Sequence, residues 1–133
     1  MSDEAARAKL PRLRWHAEPL AIVRLPPTAA VPVLPASGFF SLTRTADELS
    51  LVVEEAHVPA EAEAVEPGWH RFAVVGPLDF SLVGVLSHLS GALAEAGISL
   101  FVISTYDTDI ILVRSADRQR TTAALEAVGY RFV

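Results

Sequence analysis

Short apolar runs separated by proline, glycine and polar clusters punctuate the chain, and their rhythm changes near its middle. The run LAIVRL at Leu20–Leu25 has the branched aliphatic content of a strand, and Pro26-Pro27 stops it because proline has no N–H to give to a ladder. Prolines 26, 27, 32 and 35 then mark an irregular crossing. Apolar segments from Phe39 to Arg44 and from Leu49 to Glu54 flank the polar stretch Thr45-Ala46-Asp47-Glu48, which predicts a hairpin. Pro59 to Pro67, made mostly of Ala, Glu, Val and Pro, reads as an exposed linker and as the best internal boundary.

The second half is more regular. Trp69–Val75 predicts a strand closed by Gly76-Pro77, and a helix follows from about Ser81 to Ala96, with Leu82, Leu86, Leu89 and Leu93 on one buried stripe and Gly97 as its left-handed end. Ile98–Ser104 and Asp109–Arg114 predict two strands around the turn Thr105-Tyr106-Asp107-Thr108. Ser115 or Asp117 is placed to cap a second helix that turns Ala124, Leu125 and Val128 inward, Gly129 ends it, and Tyr130–Val133 supplies a last strand. In order this is β-α-β-β-α-β, an α+β ferredoxin-like arrangement in which right-handed crossovers put both helices on one face of the sheet. The expected organisation is a flexible tail over residues 1–16, with Pro11 ending any short helix there, an abbreviated half over 17–66 and a complete unit over 67–133. Neither half holds enough core to stand alone, so one continuous sheet or two small packed sheets are expected, with pairing of two copies to cover what stays exposed.

Composition narrows the function. The 133 residues are 51% hydrophobic and 20% charged, with mean hydropathy +0.35, too apolar for a disordered chain. Eleven Lys and Arg against sixteen Asp and Glu give a formal charge of −5, the wrong sign for holding nucleic acid phosphates or an anionic membrane. The chain has no cysteine, which excludes disulfides, thiol nucleophiles and thiolate metal sites. No signal-peptide core and no apolar run of about 18 residues appears. A cytoplasmic location is therefore expected.

No nucleophile elbow, Walker loop, dinucleotide fingerprint or paired-histidine zinc motif is present, so neither a cofactor nor a catalytic residue is expected. His16, His57, His70 and His88 are widely spaced and read as surface histidines rather than metal ligands or bases acting with Asp107 and Asp109. Two places are more suggestive. Gly76-Pro77-Leu78-Asp79 feeds a helix whose first turn, Phe80 to Val85, presents unpaired amides to a carboxylate, and Gly84 would let a ligand or another backbone approach, or else serve close packing of helix on sheet. The polar cluster Ser104-Thr105-Tyr106-Asp107-Thr108-Asp109 sits beyond strand ends, where Asp and Thr also stabilise turns.

The segment Leu78-Asp79-Phe80-Ser81-Leu82-Val83-Gly84-Val85-Leu86, followed by Ala96-Gly97-Ile98-Ser99-Leu100-Phe101-Val102-Ile103-Ser104-Thr105-Tyr106-Asp107-Thr108-Asp109-Ile110-Ile111-Leu112-Val113-Arg114, resembles ACT domains of the CASTOR type, the family of the animal cytosolic arginine sensors and of many short bacterial proteins. The resemblance covers residues 69–133, and Thr45–Ser50 with Pro59 matches the family's first half more loosely. It implies two ACT units in tandem, the first abbreviated, binding a small ligand, usually an amino acid, where units meet. Backbone groups at Ser99 and Leu100 would face that ligand, the helix opening at Asp79, Phe80, Ser81, Leu82, Val83, Gly84 and Val85 would receive it, and Ser104, Thr105, Tyr106 and Asp109 would complete the site. A carboxylate suits the helix amides and a cation suits Asp109, with Phe80 and Tyr106 as an apolar wall. Leu82 stands where the arginine sensors have an acidic residue and Asp79 where they have a glycine. Arginine itself is not inherited as the ligand. The same resemblance makes Tyr106, Asp107 and Asp109 a contact for a protein partner.

The function expected is a non-enzymatic, amino-acid-binding regulatory homodimer. One alternative is an interaction module whose pocket is vestigial and whose exposed turn or sheet face docks a partner. Another is a small hydrolase or isomerase using Asp107, Asp109 and His70 or His88.

Overall fold

A computed structural model describes residues 10–75 and 82–133, with only the backbone described at Leu82 and Val83. In chain order the elements are β1 (Arg12–Trp15), β2 (Leu20–Leu25), β3 (Phe40–Arg44), β4 (Leu49–Glu54), β5 (Ala64–Val75), α1 (Leu82–Glu95), β6 (Leu100–Ser104), β7 (Asp109–Arg114), α2 (Arg118–Ala127) and β8 (Arg131–Phe132). Short 3-10 turns follow β4 at Glu55–His57 and β7 at Ser115–Asp117. The chain forms two compact units, an inserted one from Glu18 to Trp69 and an outer one made of the residues through Ala17 with His70–Val133.

In the inserted unit the strands run antiparallel in the order β3-β4-β2-β5. That is the ferredoxin-like order without its helices. Alternation at period two sends Ala21, Val23 and Leu25 of β2 and Leu49, Leu51 and Val53 of β4 into one core, and all six are buried. Where helices would cover that core, two irregular connections do so instead, the proline-rich one through Ala29 and Leu34 and the later one through Val58 and Ala62. Arg44, at the end of β3, holds the first connection by donating to the carbonyls of Pro27 and Ala29.

The linker expected over Pro59–Pro67 is in part a strand. Ala64, Val65 and Glu66 pair with Arg24, Val23 and Ile22, and Trp69 pairs with Leu20. Between those pairings β5 carries an extra residue, and the bulge falls at Pro67-Gly68, which supplies a residue with no N–H and one at φ 82°. A bulge is where a strand tolerates proline and exploits glycine, so composition that reads as a linker is accommodated inside a ladder.

The outer unit has the strand order β6-β7-β5-β1-β8. With α1 and α2 it is the βαββαβ ACT fold, carrying one additional strand. The tail expected over residues 1–16 is therefore corrected at Arg12–Trp15, which is strand β1, antiparallel to Phe72–Val75 of β5 and parallel to β8. Leu13 is fully buried while Arg12 and Arg14 face solvent, so this short strand is held by the core as well as by its ladder.

Leu13, Phe72, Leu89, Leu93, Ile98, Ile111, Val113, Leu125 and Tyr130 form that core. On α1 the buried stripe is Val85, Leu89 and Leu93, with Leu86 half-buried. Both helices end as expected at glycine. Ile98 N–H bonds Leu93 O and Gly97 N–H bonds Ala94 O, and the same pair of bonds recurs from Tyr130 to Leu125 and from Gly129 to Glu126. At the opening of α2 the expected side-chain cap is absent. Asp117 occupies the N-cap position but gives its carboxylate to Arg120 at 2.7 Å.

The two units share one plan. Phe40–Arg44, Leu49–Glu54 and Glu55–His57 recur as Leu100–Ser104, Asp109–Arg114 and Ser115–Asp117, each sixty positions later. Arg44 pairs with Leu49 as Ser104 pairs with Asp109, and Glu54 and Arg114 open the two 3-10 turns at φ −60°, ψ 140° and φ −61°, ψ 140°.

Candidate functional site

The β6–β7 hairpin builds its turn from hydroxyls. Thr105 N–H donates to Thr108 O at 2.8 Å, Thr105 Oγ1 donates to the same oxygen at 3.0 Å, and Thr108 N–H returns a bond to Thr105 Oγ1 at 3.2 Å. Thr45 and Glu48 make the equivalent set in the inserted unit. A threonine at this place satisfies backbone groups that a tight turn would leave open, which is why a polar cluster stands between two apolar strands.

Around that frame the side chains differ in what they leave free. Ser104 Oγ donates to Asp109 Oδ1 at 2.6 Å, so the carboxylate keeps its remaining lone pairs for another donor. No Lys, Arg or His lies within ion-pair distance of Asp107 or Asp109 among the described residues. Tyr106, at the tip, is fully exposed. In the inserted unit Leu49 occupies the position of Asp109 and is buried, so only the outer unit's turn presents a carboxylate there.

Of the other expected ligand contacts, Asp79, Phe80 and Ser81 lie outside the described residues. Leu82 and Val83 are helical backbone in the first turn of α1. Gly84 is exposed, and a Cβ built on it would meet nothing within 4 Å, so packing within the described chain does not require glycine there. Val85 is 5% exposed and its side chain belongs to the buried stripe, leaving only its backbone to face a ligand. Ser99 is exposed and Leu100, which opens β6, is half-buried. Ser104, Thr105, Thr108 and Asp109 are thus brought together, whereas no hydrogen bond or ion pair among the described residues joins them to the first turn of α1 or to Ser99.

His70 and His88 are engaged elsewhere. His88 Nδ1 lies 2.9 Å from the Tyr130 hydroxyl, while His70 sits with Nδ1 2.6 Å from Ser115 Oγ and Nε2 3.0 Å from Ala17 O. Neither contacts Asp107 or Asp109, so the described residues do not assemble the acid–base cluster weighed from sequence. No group of three metal-ligating side chains occurs among the described residues, and no helix among them is long and apolar enough to cross a membrane.

A groove that the sequence does not announce runs along α2. It measures about 590 Å³ and is lined by Trp15, Arg118, Gln119, Thr122, Ala123 and Glu126. Trp15 is fixed by a 3.0 Å bond from Nε1 to Thr122 Oγ1, by stacking on Phe132 and by an edge contact with Phe72, and the Arg118 guanidinium lies 5.1 Å from its ring centre. Its floor depends on β1, the strand mistaken for a tail.

Comparison with known proteins agrees with this architecture. The ACT domain model matches residues 64–127, and a second model, described as an N-terminal domain, matches residues 18–61. A crystal structure of a protein from Agobacterium tumefaciens is 35% identical, with TM-score 0.86, over 93% of this chain and 92% of its own. The chain contains an ACT domain. More distant similar structures include a Vibrio cholerae protein of unknown function described as a possible transport protein, at 20% identity and TM-score 0.68 over 96% and 99% of the two chains. The regulatory subunit of Thermus thermophilus aspartate kinase, in its ligand-free form, is 14% identical with TM-score 0.60 over 90% of this chain and 98% of its own. At these identities the last two show a common fold. ACT domains are small-ligand regulatory modules, and in this ACT protein no described cluster of residues supports catalysis.

Proposed function

We propose that this ACT protein is a non-enzymatic cytoplasmic regulator that binds an amino acid, two copies of the chain associating so that ACT units meet around the ligand. The observation that carries the reading is Gly84: exposed in the first turn of α1 beside open space, it leaves helix amides approachable where a side chain would have cost nothing in packing. In this reading those amides, with Asp79, Phe80, Ser81, Leu82, Val83 and Val85, receive the α-carboxylate. Backbone groups at Ser99 and Leu100 line the site, and Ser104, Thr105, Tyr106 and Asp109 of a neighbouring unit meet the ligand's cationic and apolar parts. The aspartate kinase regulatory subunits supply the analogy for regulation by a small ligand, and the CASTOR-type resemblance of Ser104–Arg114 supplies the amino-acid class.

Thermal-shift measurement across the common amino acids tests it. At least one should raise the melting temperature in a concentration-dependent way, and Gly84→Trp should abolish the rise. No rise with any amino acid sinks the reading. A second reading, a protein-docking module using Tyr106, Asp107 and Asp109, is favoured by the full exposure of Tyr106 at the turn tip. It predicts partner capture that no amino acid alters.

A further inference from the structure

The groove beside Trp15 lies on α2 and β1, and none of the residues that line it is assigned to the amino-acid site. Its two charged residues, Arg118 and Glu126, stand at opposite ends of one helix face. Neither has an ion-pair partner among the described residues, in contrast to Arg120, which is spent on Asp117 and on the carbonyl of Ala96. Both are also placed against the helix dipole. Arg118 is in the first turn, where negative charge is favoured, and Glu126 is in the last turn, where positive charge is favoured. Apart from the contact of Arg118 with the Trp15 ring, neither charge is offset within the fold, and an occupant with its anion toward Arg118 and its cation toward Glu126 would satisfy both side chains and align with the helix dipole. The Arg118 guanidinium is already oriented by the Trp15 ring, and its donors form a fork that matches a carboxylate.

We propose that this groove binds a short free peptide, its terminal carboxylate on Arg118 and its terminal ammonium on Glu126. Eight residues of helix separate the two Cα atoms by about 12 Å. An extended chain covers roughly 3.3–3.6 Å per residue, so two or three residues bridge the charges once the side chains reach inward. A single amino acid, with both charges on one carbon, reaches only one end. Gln119 and Thr122 offer amide and hydroxyl groups to the peptide backbone, and Trp15 with Ala123 forms the apolar floor. The volume of about 590 Å³ falls among small-ligand sites, which run roughly 300–1,000 Å³.

The test is calorimetric titration of the full chain with tri-alanine, its N-acetylated form, its C-terminal amide and free alanine, with intrinsic tryptophan fluorescence as a second readout. Saturable binding of tri-alanine is expected, weakened about tenfold by blocking either terminus and by Arg118→Gln or Glu126→Gln. Ala123→Trp, at an exposed helix position, should fill the groove and remove binding, and melting curves confirm that each variant folds. The proposal is overturned by no saturable binding at millimolar tri-alanine, by equal binding of blocked and free peptides, or by indifference to all three substitutions in folded protein. The amino-acid site is scored separately, since Asp109→Ala leaves the groove untouched.

Discussion

Ser104 donates its hydroxyl hydrogen to the Asp109 carboxylate across 2.6 Å at the turn end of the β6–β7 hairpin, where the two residues pair in register. The bond orients a carboxylate that no described cation neutralises, and the equivalent pair in the inserted unit, Arg44 and Leu49, offers no such group. A ligand carrying a cationic group is therefore expected to depend on the outer unit's turn alone.

Asp109→Ala should abolish any amino-acid-dependent rise in melting temperature while costing the free protein no more than about 1 kcal/mol, because the bond lost is at the surface. Ser104→Ala should retain ligand binding with a modest loss of affinity. Differential scanning of both variants with and without amino acids checks this, and loss of response in Ser104→Ala with retention in Asp109→Ala would reverse the assigned roles.

Thr121 on α2 is fully buried, and its hydroxyl has no hydrogen-bond partner among the described residues. A buried hydroxyl without a partner carries a desolvation penalty that a methyl group of similar shape does not. Thr121→Val should stabilise the protein by about 1 kcal/mol, seen as a melting temperature about 4 °C higher. An unchanged or lower melting temperature would mean that the hydroxyl is satisfied in solution.

Legibility followed how each element earns its stability. β2, β4, the β6–β7 hairpin and both helix ends were readable because alternation, turn threonines and left-handed glycines are local causes with local signals. β1 was misread although Leu13 and Trp15 alternate with Arg12 and Arg14, because four residues make a weak pattern and the strand is secured by distant partners in β5 and β8. The first part of β5 was hidden by Pro67, whose bulge only the pairing with β2 makes intelligible. The sixty-residue repeat of the two hairpins is carried by backbone geometry more than by residue identity, and the groove needs β1 and α2 side by side, which no local pattern discloses. At the candidate site the turn residues were legible for the same local reasons, whereas the burial of Val85 came from the tilt of its stripe.

The correction at β1 carries a stability consequence. A flexible tail tolerates substitution, but Leu13 is fully buried among Phe72, Leu125 and Tyr130 in the outer core. Leu13→Ala should cost about 2–4 kcal/mol through lost burial and the cavity left behind. Arg12→Ala, on the exposed side of the same strand, should stay within about 0.5 kcal/mol. Denaturant titration of the pair distinguishes a strand from a tail, since a tail predicts two near-neutral variants.

Tyr130 gives the protein an alkaline limit. Its ring is 2% exposed, and burial pushes the phenol up to about 12 from an ordinary 10.0, because the phenolate would have to form without water around it. Its hydroxyl faces His88 Nδ1 across 2.9 Å. Because the folded state holds the phenolic proton more tightly than the unfolded chain, Tyr130 contributes stability that is complete below pH 10. As pH rises from 10 toward 12, the unfolded chain ionises first and the folded state loses that advantage. Tyr130→Phe removes the titrating group, so its stability should fall less than that of the parent across this interval, even if its stability at pH 7 is lower for want of the His88 bond. Chemical denaturation at pH 7, 10 and 11.5 measures the difference, and parallel declines in the two proteins would assign the alkaline loss to other groups.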